Sequence, residues 1–415
     1  MSDETAVELP PPPPQDAGAA IVAAAELLWP APATVSVSRR GTPPPAGSRI
    51  VREHLLAPRG TRPRLVVPAG ARRAAAAVAL RRSGSGGAAG RLAALGAAAF
   101  VRVGAADRVV RDRLRVTGPE HAMRDDIETR LGELLGTEVV VGLHVGTARV
   151  NRKPVLHAVD TSGRTLAFVK VGHSESARAL VRGEASTLRE LARHAFTSLQ
   201  VPTVLALSAW GNLELLVLSP LGGKPMRPSV GNLPYTAIRE LAAVHGLTQT
   251  ALSDSGFLAQ LLEIPRRLSA DRSPRYARAL NAVHDAGATT AFGSWHGDWQ
   301  PFNMARTRGH RIAVWDWERF ATGVPVGFDA LHYLLQVLLH GRGVSAQVAQ
   351  QFLELAPDVA VKANVAPDAV AAVVASYVAD IAGRYLSLAE GPDGELLARR
   401  AQWTLGLLES AVARL

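Results

Sequence analysis

Two neighbouring stretches, His296–Asn303 (HGDWQPFN) and Val314–Glu318 (VWDWE), constrain this chain more than any other feature. Three side chains that bind protons or metal ions stand at fixed offsets in them: Asp298, then Asn303, then Asp316. Phosphoryl transfer from ATP requires such a set, because one carboxylate orients the acceptor hydroxyl while an Asn and a second Asp hold Mg²⁺ on the phosphates. The stretches therefore predict a phosphotransferase with Asp298 as its catalytic carboxylate and the other two as metal ligands.

The residues between the two stretches predict how these groups meet. Arg306–Arg311 is polar and contains a Gly, which is typical of a hairpin turn between two short strands. Alternation in the second strand places Asp316 on the same face as Ile312 and Val314, and the hairpin folds it back toward the other two groups. Polar residues in a turn are common, so the expected convergence supports the catalytic interpretation more than the His-x-Asp pair alone.

The first stretch reads H-x-D-x-x-x-x-N and is similar to the protein-kinase catalytic loop, with Gly297 where Arg would stand. Together the two stretches resemble the signature of the aminoglycoside phosphotransferase and choline kinase-like family, in which a flanked Asp replaces Asp-Phe-Gly. The resemblance extends over residues 121–415. It implies an α+β, protein-kinase-like two-lobed fold, with an antiparallel-sheet N-lobe and a mainly helical C-lobe. It also implies the use of ATP and Mg²⁺ to phosphorylate a small molecule.

Lys170 is the informative lysine of the predicted N-lobe. It ends an otherwise apolar strand, Thr165–Val171, where an ammonium group is normally avoided. A kinase needs such a Lys on the ATP phosphates, fixed by a Glu from the next helix. Glu184, among the apolar positions of that helix, is the predicted partner, and Glu190 is the fallback. The alternative is a lysine that extends to solvent beside a solvated Glu.

Two further nucleotide contacts follow from the resemblance. Strands are predicted at Glu138–Val145 and Val155–Val159, and the tip between them would cover the phosphates through Gly146 and Thr147. This tip has one Gly where the protein-kinase loop has three. The apolar strand ending at Leu218 runs into a segment that resembles the hinge between the lobes. There the adenine would pair with backbone groups of Ser219 and Leu221.

Beyond the hinge the chain is expected to be mainly helical. Two polar residues are assigned structural roles: His296 orients the catalytic loop, and Asp329 caps a helix beginning near Ala330. The helical segments around the loop would form the acceptor pocket, with sugar, aminoglycoside, amino-alcohol and peptide-hydroxyl acceptors all open. Helices are predicted around residues 234–247, 255–285, 329–340, 345–355, 366–387 and 393–414.

Composition divides the chain into four predicted segments. Residues 1–48 are rich in Pro and Ala and are expected to be mostly disordered, apart from a short helix at Ala19–Trp29. Residues 49–118 are a small basic α/β extension of unknown function. Residues 119–222 form the kinase-like N-lobe, and residues 223–415 form the helical C-lobe with the catalytic loop.

Charge and composition leave alternatives open. Residues 1–118 hold 17 Arg against 8 acidic residues, nearly all of the net charge of +10. An Arg-rich compositional habit is favoured over nucleic-acid binding, because no aromatic interleaving or DNA-reading motif accompanies it. A protein partner for this region stays open, and with it a second interpretation, a scaffolding pseudokinase. The intact set of five kinase residues argues against a pure scaffold.

The remaining exclusions come from residue types and segment lengths. The sequence contains no Cys, which excludes disulfides and thiolate chemistry. Its N-terminus is acidic before a proline run, which is the wrong charge for a signal peptide. The apolar run Leu92–Val101 is too short to span a bilayer. We therefore expect a cytoplasmic protein without membrane partners.

Overall fold

The computed structural model divides the chain into two compact units. One unit, the sheet unit, contains Met1–Arg178 and Ser208–Val217, and the other, the helical unit, contains Ala179–Leu207 and Leu218–Leu415. The residues that the structure describes are 17–57, 65–81, 88–119, 125–144, 154–391 and 394–415.

In chain order the helices and strands are α1 Ala17–Leu28, β1 Thr34–Arg39, β2 Arg49–Ala57, β3 Leu65–Pro68, α2 Arg72–Arg81, α3 Ala88–Arg102, α4 Ala105–Val109, β4 Asp112–Gly118, α5 Ile127–Leu135, β5 Val140–His144, β6 Val155–Val159, β7 Thr165–Gly172, α6 Glu175–Leu191, β8 Leu199–Gln200, β9 Val204–Trp210, β10 Leu213–Leu218, β11 Lys224–Pro225, α7 Tyr235–Ala242, β12 Thr248–Ala251, α8 Gly256–Leu262, α9 Ser273–Asp285, β13 Thr289–Trp295, β14 Met304–Arg306, β15 Ile312–Val314, β16 Ala321–Pro325, α10 Phe328–Leu339, α11 Ala346–Lys362, α12 Val370–Ala389 and α13 Gly394–Val412.

The sheet unit is built on a nine-stranded sheet in the order β1-β4-β2-β3-β5-β6-β7-β10-β9. The β5–β6 and β6–β7 pairs are antiparallel, as the alternating apolar pattern predicts. The predicted strands at 155–159 and 165–171 are therefore confirmed. The α+β class is confirmed as well, because α-helices and antiparallel strands share the unit.

The prediction that residues 1–48 are a mostly disordered leader is wrong for its described part. Ala17–Leu28 is a helix that buries Ile21, Ala25 and Leu28, which confirms the short helix expected there. Thr34–Arg39 is strand β1, fully paired with β4 in antiparallel register. The alternating Thr-Val-Ser-Val run has the composition of a strand, and the surrounding prolines obscured it.

The predicted division between an extension at 49–118 and an N-lobe from 119 is not a structural boundary. Strand β3 of the extension pairs with β5 of the N-lobe, with Leu65 opposite His144 and Val66 opposite Leu143. Helix α2 packs on the same sheet, and the Val78 side chain lies against Gly142, where any Cβ would meet it at 2.4 Å. The extension and the N-lobe strands therefore share one sheet and one hydrophobic core.

The helical unit surrounds its polar loops with long helices. Helix α12 lies at its centre and packs against α9 and α13, and the buried hydroxyl of Tyr276 donates to the carbonyl of Ala379 at 2.9 Å. The helix predicted over 255–285 is interrupted: α8 ends at Leu262, and α9 starts at Ser273. Pro265, in the intervening turn, and Pro274 explain this, because proline favours the first turn of a helix.

One segment among the described residues, Pro367–Ala389, is long and apolar enough to cross a membrane by length and composition. In this structure 78% of that window is buried inside the protein. Its apolar character is thus accounted for by packing within the helical unit, where both flanking helices and α9 cover it.

Two small sheets of the helical unit deliver the polar loops. The first has the order β12-β13-β16, and β13 ends at Trp295, one residue before the predicted catalytic loop. The second contains the hairpin β14–β15, which pairs Met304 with Val314. This confirms the hairpin predicted between the two motif stretches.

Candidate active site

The loop that follows β13 turns sharply at Gly297. This residue has φ +80°, and a Cβ built on it would lie 2.4 Å from the Arg319 carbonyl oxygen. Only glycine combines this left-handed backbone with so close an approach of another chain segment. The Gly of the His-Gly-Asp motif is thus required by local geometry, and it brings the backbone of residue 319 against the loop.

The His296 ring lies fully buried and binds backbone groups on both sides. Its Nδ1 accepts from the Asp298 N–H at 3.2 Å, and its Nε2 lies 3.2 Å from the Trp315 carbonyl. Burial lowers the pKa of His296 to about 4, although the nearby charge of Asp298 opposes that shift. The ring is therefore neutral at pH 7, and its Nε2–H donates to Trp315. The prediction that His296 orients the loop is confirmed.

Asp329 holds the loop backbone from helix α10. Its two oxygens accept from the N–H groups of His296 at 2.8 Å and Gly297 at 3.1 Å. Burial raises the pKa of Asp329 to about 7, against the opposing effect of these two hydrogen bonds. The prediction that Asp329 caps its own helix is wrong: α10 begins after Gly327, no side chain caps it, and Asp329 is directed at the loop.

Helix α12 supports the same loop through Arg384. Its Nη1 donates to the Gly297 carbonyl at 3.1 Å, its Nε lies 2.8 Å from Asp380, and its guanidinium lies 4.6 Å from the Trp295 ring centroid. Burial raises the pKa of Asp380, and the positive charge of Arg384 opposes that shift. Since both residues lie on one face of the helix, α12 presents a fixed donor to the loop.

Asp298 accepts hydrogen bonds on both carboxylate oxygens. Oδ2 accepts from Gln300 at 2.9 Å and from Asn303 at 2.8 Å, and Oδ1 lies 3.3 Å from His332 Nε2. Burial would raise the pKa of Asp298, but the hydrogen bond from His332 and nearby positive charge, including Arg319, lower it to about 2. The carboxylate is therefore ionised at pH 7 and serves better to orient a hydroxyl than to take its proton early.

Asn303 joins the loop to the hairpin. Its side-chain nitrogen donates to the carboxylate and the carbonyl of Asp298, and its own carbonyl accepts from the Trp315 N–H at 3.0 Å. Because the amide nitrogen makes both side-chain bonds, the amide oxygen is the atom that a cation would use. The hairpin thus brings the backbone of the second motif stretch beside Asn303, as predicted from the sequence.

Asp316 lies directly after that contact in a left-handed conformation, with φ 76°. Such a backbone is uncommon for any residue other than glycine, although Asp tolerates it better than most. It is half-buried, and one carboxylate oxygen each from Asp316, Glu184 and Glu318 lie within 4.8 Å of one another. Glu184 is 1% exposed and accepts from the Trp317 N–H at 3.0 Å.

This group of carboxylates offers hard oxygen ligands, which are the donors that Mg²⁺ prefers. These three residues therefore fit a divalent cation. Asp316 belongs both to this cluster and to the pair of metal ligands, Asn303 and Asp316, predicted from the sequence. The cluster also contains Glu184, which the sequence assigned to Lys170. The inward direction of the Glu184 carboxylate agrees with the sequence pattern, whereas its position beside the Trp-Asp-Trp stretch is shown only by the structure.

The other predicted nucleotide contacts lie in different places. Lys170 is half-buried in β7 of the sheet unit, opposite Val155. Glu184 belongs to the helical unit, so their pairing stays a prediction. Gly146 and Thr147 lie outside the described residues. Of the hinge residues, Ser219 exchanges hydrogen bonds with Thr203 at 2.9 and 2.8 Å.

Leu221, the other predicted hinge residue, is buried with 7% of its surface exposed. The backbone amide of Ser219 donates to the Thr203 carbonyl, so a hydrogen bond within the protein holds the hinge backbone at this residue. The adenine contacts assigned to Ser219 and Leu221 stay predictions.

A cleft of about 900 Å³ opens in the helical unit beside these groups. Trp295, Arg319, Asp380 and Arg384 line the part of it that adjoins the catalytic loop. Threonines, Asp254 and apolar side chains such as Phe257 and Phe292 line the rest. Its size is within the range of small-molecule sites, and its lining is more polar than is usual for apolar ligands.

Comparisons with known proteins bear on the class of this site. The phosphotransferase enzyme family matches residues 154–355, just under half of the chain. The match confirms, for residues 154–355, the resemblance to the aminoglycoside phosphotransferase and choline kinase-like family that the motifs indicate, and the kinase-like fold class expected from it. The chain is an enzyme, a small-molecule kinase whose phosphoryl acceptor is a hydroxyl group.

Solved structures show similar chain courses at low identity. A thermostable mutant of the aminoglycoside phosphotransferase APH(4)-Ia, in a ternary complex with ADP and hygromycin B, is 17% identical, with a TM-score of 0.46 over 69% of this chain and 98% of that one. Choline kinase LicA from Streptococcus pneumoniae is 14% identical, with a TM-score of 0.43 over 68% of this chain and 98% of that one. Curated protein sequences give no significant match.

Sequence reasoning missed His332 and Arg384 and misassigned Asp329. The sequence holds one signal for His332 and Asp329: two polar residues stand among the apolar residues of Phe328–Leu339, where a helix buried on most sides accepts few polar groups. Arg384 lies far along the chain from the motif, at an ordinary helical position. Only the packing of α12 shows its role.

Proposed function

We propose that this enzyme transfers the γ-phosphoryl group of ATP, with Mg²⁺, to a hydroxyl of a small polar molecule of the sugar, aminoglycoside or amino-alcohol type. The observation that carries the proposal is the environment of Asp298. Its carboxylate is ionised, hydrogen-bonded on both oxygens, and set in a loop that Asp329 and Arg384 hold by its backbone. Such positioning supplies most of the catalysis in phosphoryl transfer.

In this mechanism Asp298 orients the acceptor hydroxyl and receives its proton as the reaction proceeds. The hydroxyl oxygen forms a bond to the γ-phosphorus, the bond from that phosphorus to the bridging oxygen breaks, and ADP leaves. Asn303 and Asp316 would hold Mg²⁺, with Glu318 close enough to share that role. The metal, when bound, neutralises charge on the phosphates.

The remaining contacts with ATP are also proposals. Lys170 would contact its phosphates, with Glu184 as the partner that fixes the ammonium group. Gly146 and Thr147 would cover the phosphates, and the backbone at Ser219 and Leu221 would pair with the adenine. Each of these roles follows from the family resemblance.

The polar lining of the cleft near the loop supports a hydrophilic acceptor. Farther from the loop, the Asp254 carboxylate would favour an acceptor with an amino group, and Thr250 would suit hydroxyl groups. We further propose that the reaction takes place in the cytoplasm, as expected from the sequence.

The test is ATP turnover by the full chain against a panel of sugars, aminoglycosides and amino alcohols, with and without Mg²⁺. We expect acceptor-dependent formation of ADP that requires Mg²⁺ for at least one class. Asp298→Asn, which preserves the size of the side chain, should lower it by about 10²–10⁴-fold. Absence of turnover with the whole panel, together with no Mg²⁺-dependent thermal stabilisation by ATP, would contradict the proposal and favour a scaffold.

A further inference from the structure

His332 lies in α10 at the centre of a hydrogen-bonded chain that ends on the catalytic carboxylate. Its side chain is buried, with 4% of its surface exposed. Its Nδ1 lies 3.1 Å from the Tyr377 hydroxyl of α12, and its Nε2 lies 3.3 Å from Asp298 Oδ1. The three residues come from two helices and the catalytic loop, and all belong to the helical unit.

The direction of these hydrogen bonds follows from the chemistry of the groups. An ionised carboxylate only accepts, so the proton on His332 is on Nε2. The side-chain nitrogen of Gln336 lies 3.4 Å from the same atom and, being a donor, forms no hydrogen bond with this tautomer. Burial lowers the pKa of His332, which keeps the imidazole neutral at pH 7 and leaves Nδ1 as an acceptor. The Tyr377 hydroxyl therefore donates to Nδ1. One tautomer of the ring is thereby selected, and it presents an N–H to Asp298.

This donor differs in origin from the others on the same carboxylate. Gln300 and Asn303, which bind Oδ2, belong to the catalytic loop and its continuation, and they move with it. His332 binds the opposite oxygen from a helix that also carries Asp329, whose carboxylate holds the loop backbone. Helix α10 therefore positions both the Asp298 side chain and the backbone of the catalytic loop.

We propose that His332 is a positioning residue for phosphoryl transfer: its Nε2–H, aligned by Tyr377, fixes the plane of the Asp298 carboxylate against the acceptor hydroxyl. The inference rests on the proposed function, because it concerns the rate of that reaction. It adds a residue and a tautomer-selecting partner that neither motif stretch contains.

The experiment compares variants that keep or remove each hydrogen bond, with the acceptor that gives the highest turnover. His332→Leu removes both bonds. His332→Gln retains an N–H donor near the position of Nε2 and loses the bond to Tyr377. We expect kcat to fall about 10–100-fold in the Leu variant, since a misplacement of about 1 Å costs that order of rate. We expect the Gln variant to recover most of the loss, and KM for both substrates to change little.

Tyr377→Phe removes one hydroxyl and should lower kcat several-fold, because Nδ1 loses the hydrogen bond that aligns the imidazole ring. The matched control is Tyr276→Phe. That hydroxyl is equally buried and also bonds to helix α12, at the Ala379 carbonyl, but among the described residues it bonds to no side chain that contacts Asp298. The control should lose a similar amount of stability and retain the wild-type kcat.

Several results would overturn the inference. They are wild-type kcat in His332→Leu, no difference between the Leu and Gln variants, or equal losses of kcat in Tyr377→Phe and Tyr276→Phe. If the Leu variant does not fold, the inference is tested by kcat of His332→Gln and by the comparison of Tyr377→Phe with Tyr276→Phe. If the wild type turns over substrate and the variants match it, this inference is wrong but the proposed function stands. If the wild-type chain is inactive with every acceptor, the proposed function is contradicted as well.

Discussion

Buried charges in the sheet unit join elements that are far apart along the chain and neutralise one another. Arg115 on β4 stands opposite Glu53 on β2 and donates to it at 2.7 Å, and the same carboxylate lies 3.5 Å from buried Arg113. Burial lowers the pKa of Arg113, an effect that the charge of Glu53 opposes. Next to Glu53 on β2, Arg52 pairs with Glu128 of helix α5, which also accepts from the Val141 N–H at 3.0 Å.

Buried polar groups in the helical unit converge on a single loop. Asp329 and Arg384 form hydrogen bonds with the backbone of the catalytic loop. His332 forms one with the Asp298 carboxylate of the same loop. Both units carry the desolvation cost of burying charge. In the sheet unit the ion pairs that offset this cost join separate elements, and in the helical unit the hydrogen bonds that offset it fix one reactive group. The direction of buried polar groups, more than their number, therefore marks the functional site.

The sharpest test of this contrast is Asp298→Asn. It preserves the size of the side chain but removes the charge and the proton acceptor. We expect kcat to fall by about 10²–10⁴-fold, the usual range for the loss of a positioned acid or base. Steady-state turnover measures it, and thermal unfolding checks the fold. The matched control is Asp285→Asn, an exposed carboxylate at the end of α9, which should retain full activity.

The second test uses Asp329→Asn and concerns stability. The pKa of Asp329 is about 7 in the fold against 3.8 ordinarily, so between these values the unfolded chain binds fewer protons. Stability from this carboxyl is therefore fully present below pH 3.8 and is lost as the pH rises through about 7. The Asn variant leaves one loop N–H poorly satisfied, at a cost of about 1–3 kcal/mol.

Denaturant unfolding of both proteins across that pH range measures this effect. The free energy of unfolding of the wild type should fall as the pH rises, whereas that of the Asn variant should not fall with it. The difference in stability between the two proteins should therefore narrow. A difference that widens with pH would show that Asp329 is already ionised well below neutrality.

A third, smaller effect is expected in the sheet unit from Glu53→Gln. The guanidinium groups of Arg113 and Arg115 would lose their shared counter-charge. We expect a loss of about 1–2 kcal/mol in the free energy of unfolding, below the usual cost of breaking a buried pair, because Glu53 is partly exposed. The kcat of the folded enzyme should not change. A large fall in kcat at unchanged stability would break the comparison between the units.

The smallest effect is expected at the surface of the helical unit. Arg275 and Glu409 make two contacts, at 2.8 and 2.7 Å, but both side chains are partly exposed. A double-mutant cycle with Arg275→Gln and Glu409→Gln should give about 0.2–1 kcal/mol of coupling, and less in high salt. A coupling free energy well above this range would indicate that an ion pair on this surface stabilises the fold as much as one in the interior.

Sequence reasoning succeeded where function depends on residues that are close along the chain. Asp298, Asn303 and Asp316 lie within one loop and hairpin, and local turn chemistry brings the backbone of the second motif beside Asn303. Strands β6 and β7 were predicted correctly because their alternation is regular. The catalytic and metal-binding roles of these residues stay predictions.

Sequence reasoning failed where a side chain acts on a distant segment. Asp329 has the position of a helix cap, yet its partners are more than thirty residues away. His332 lies equally far from Asp298. Strand β1 was missed because its partner β4 is more than seventy residues further along the chain. Local pattern carries no information about which distant surface a side chain will face.

The pairing of β3 with β5 has a practical consequence for anyone who trims this protein to its catalytic region. A truncated chain beginning near residue 119 would leave the amides and carbonyls of β5 without a neighbour along the side that β3 now occupies. Exposed edges of this kind recruit strands from other molecules. Shortened versions should therefore precipitate or form oligomers unless a replacement strand is supplied.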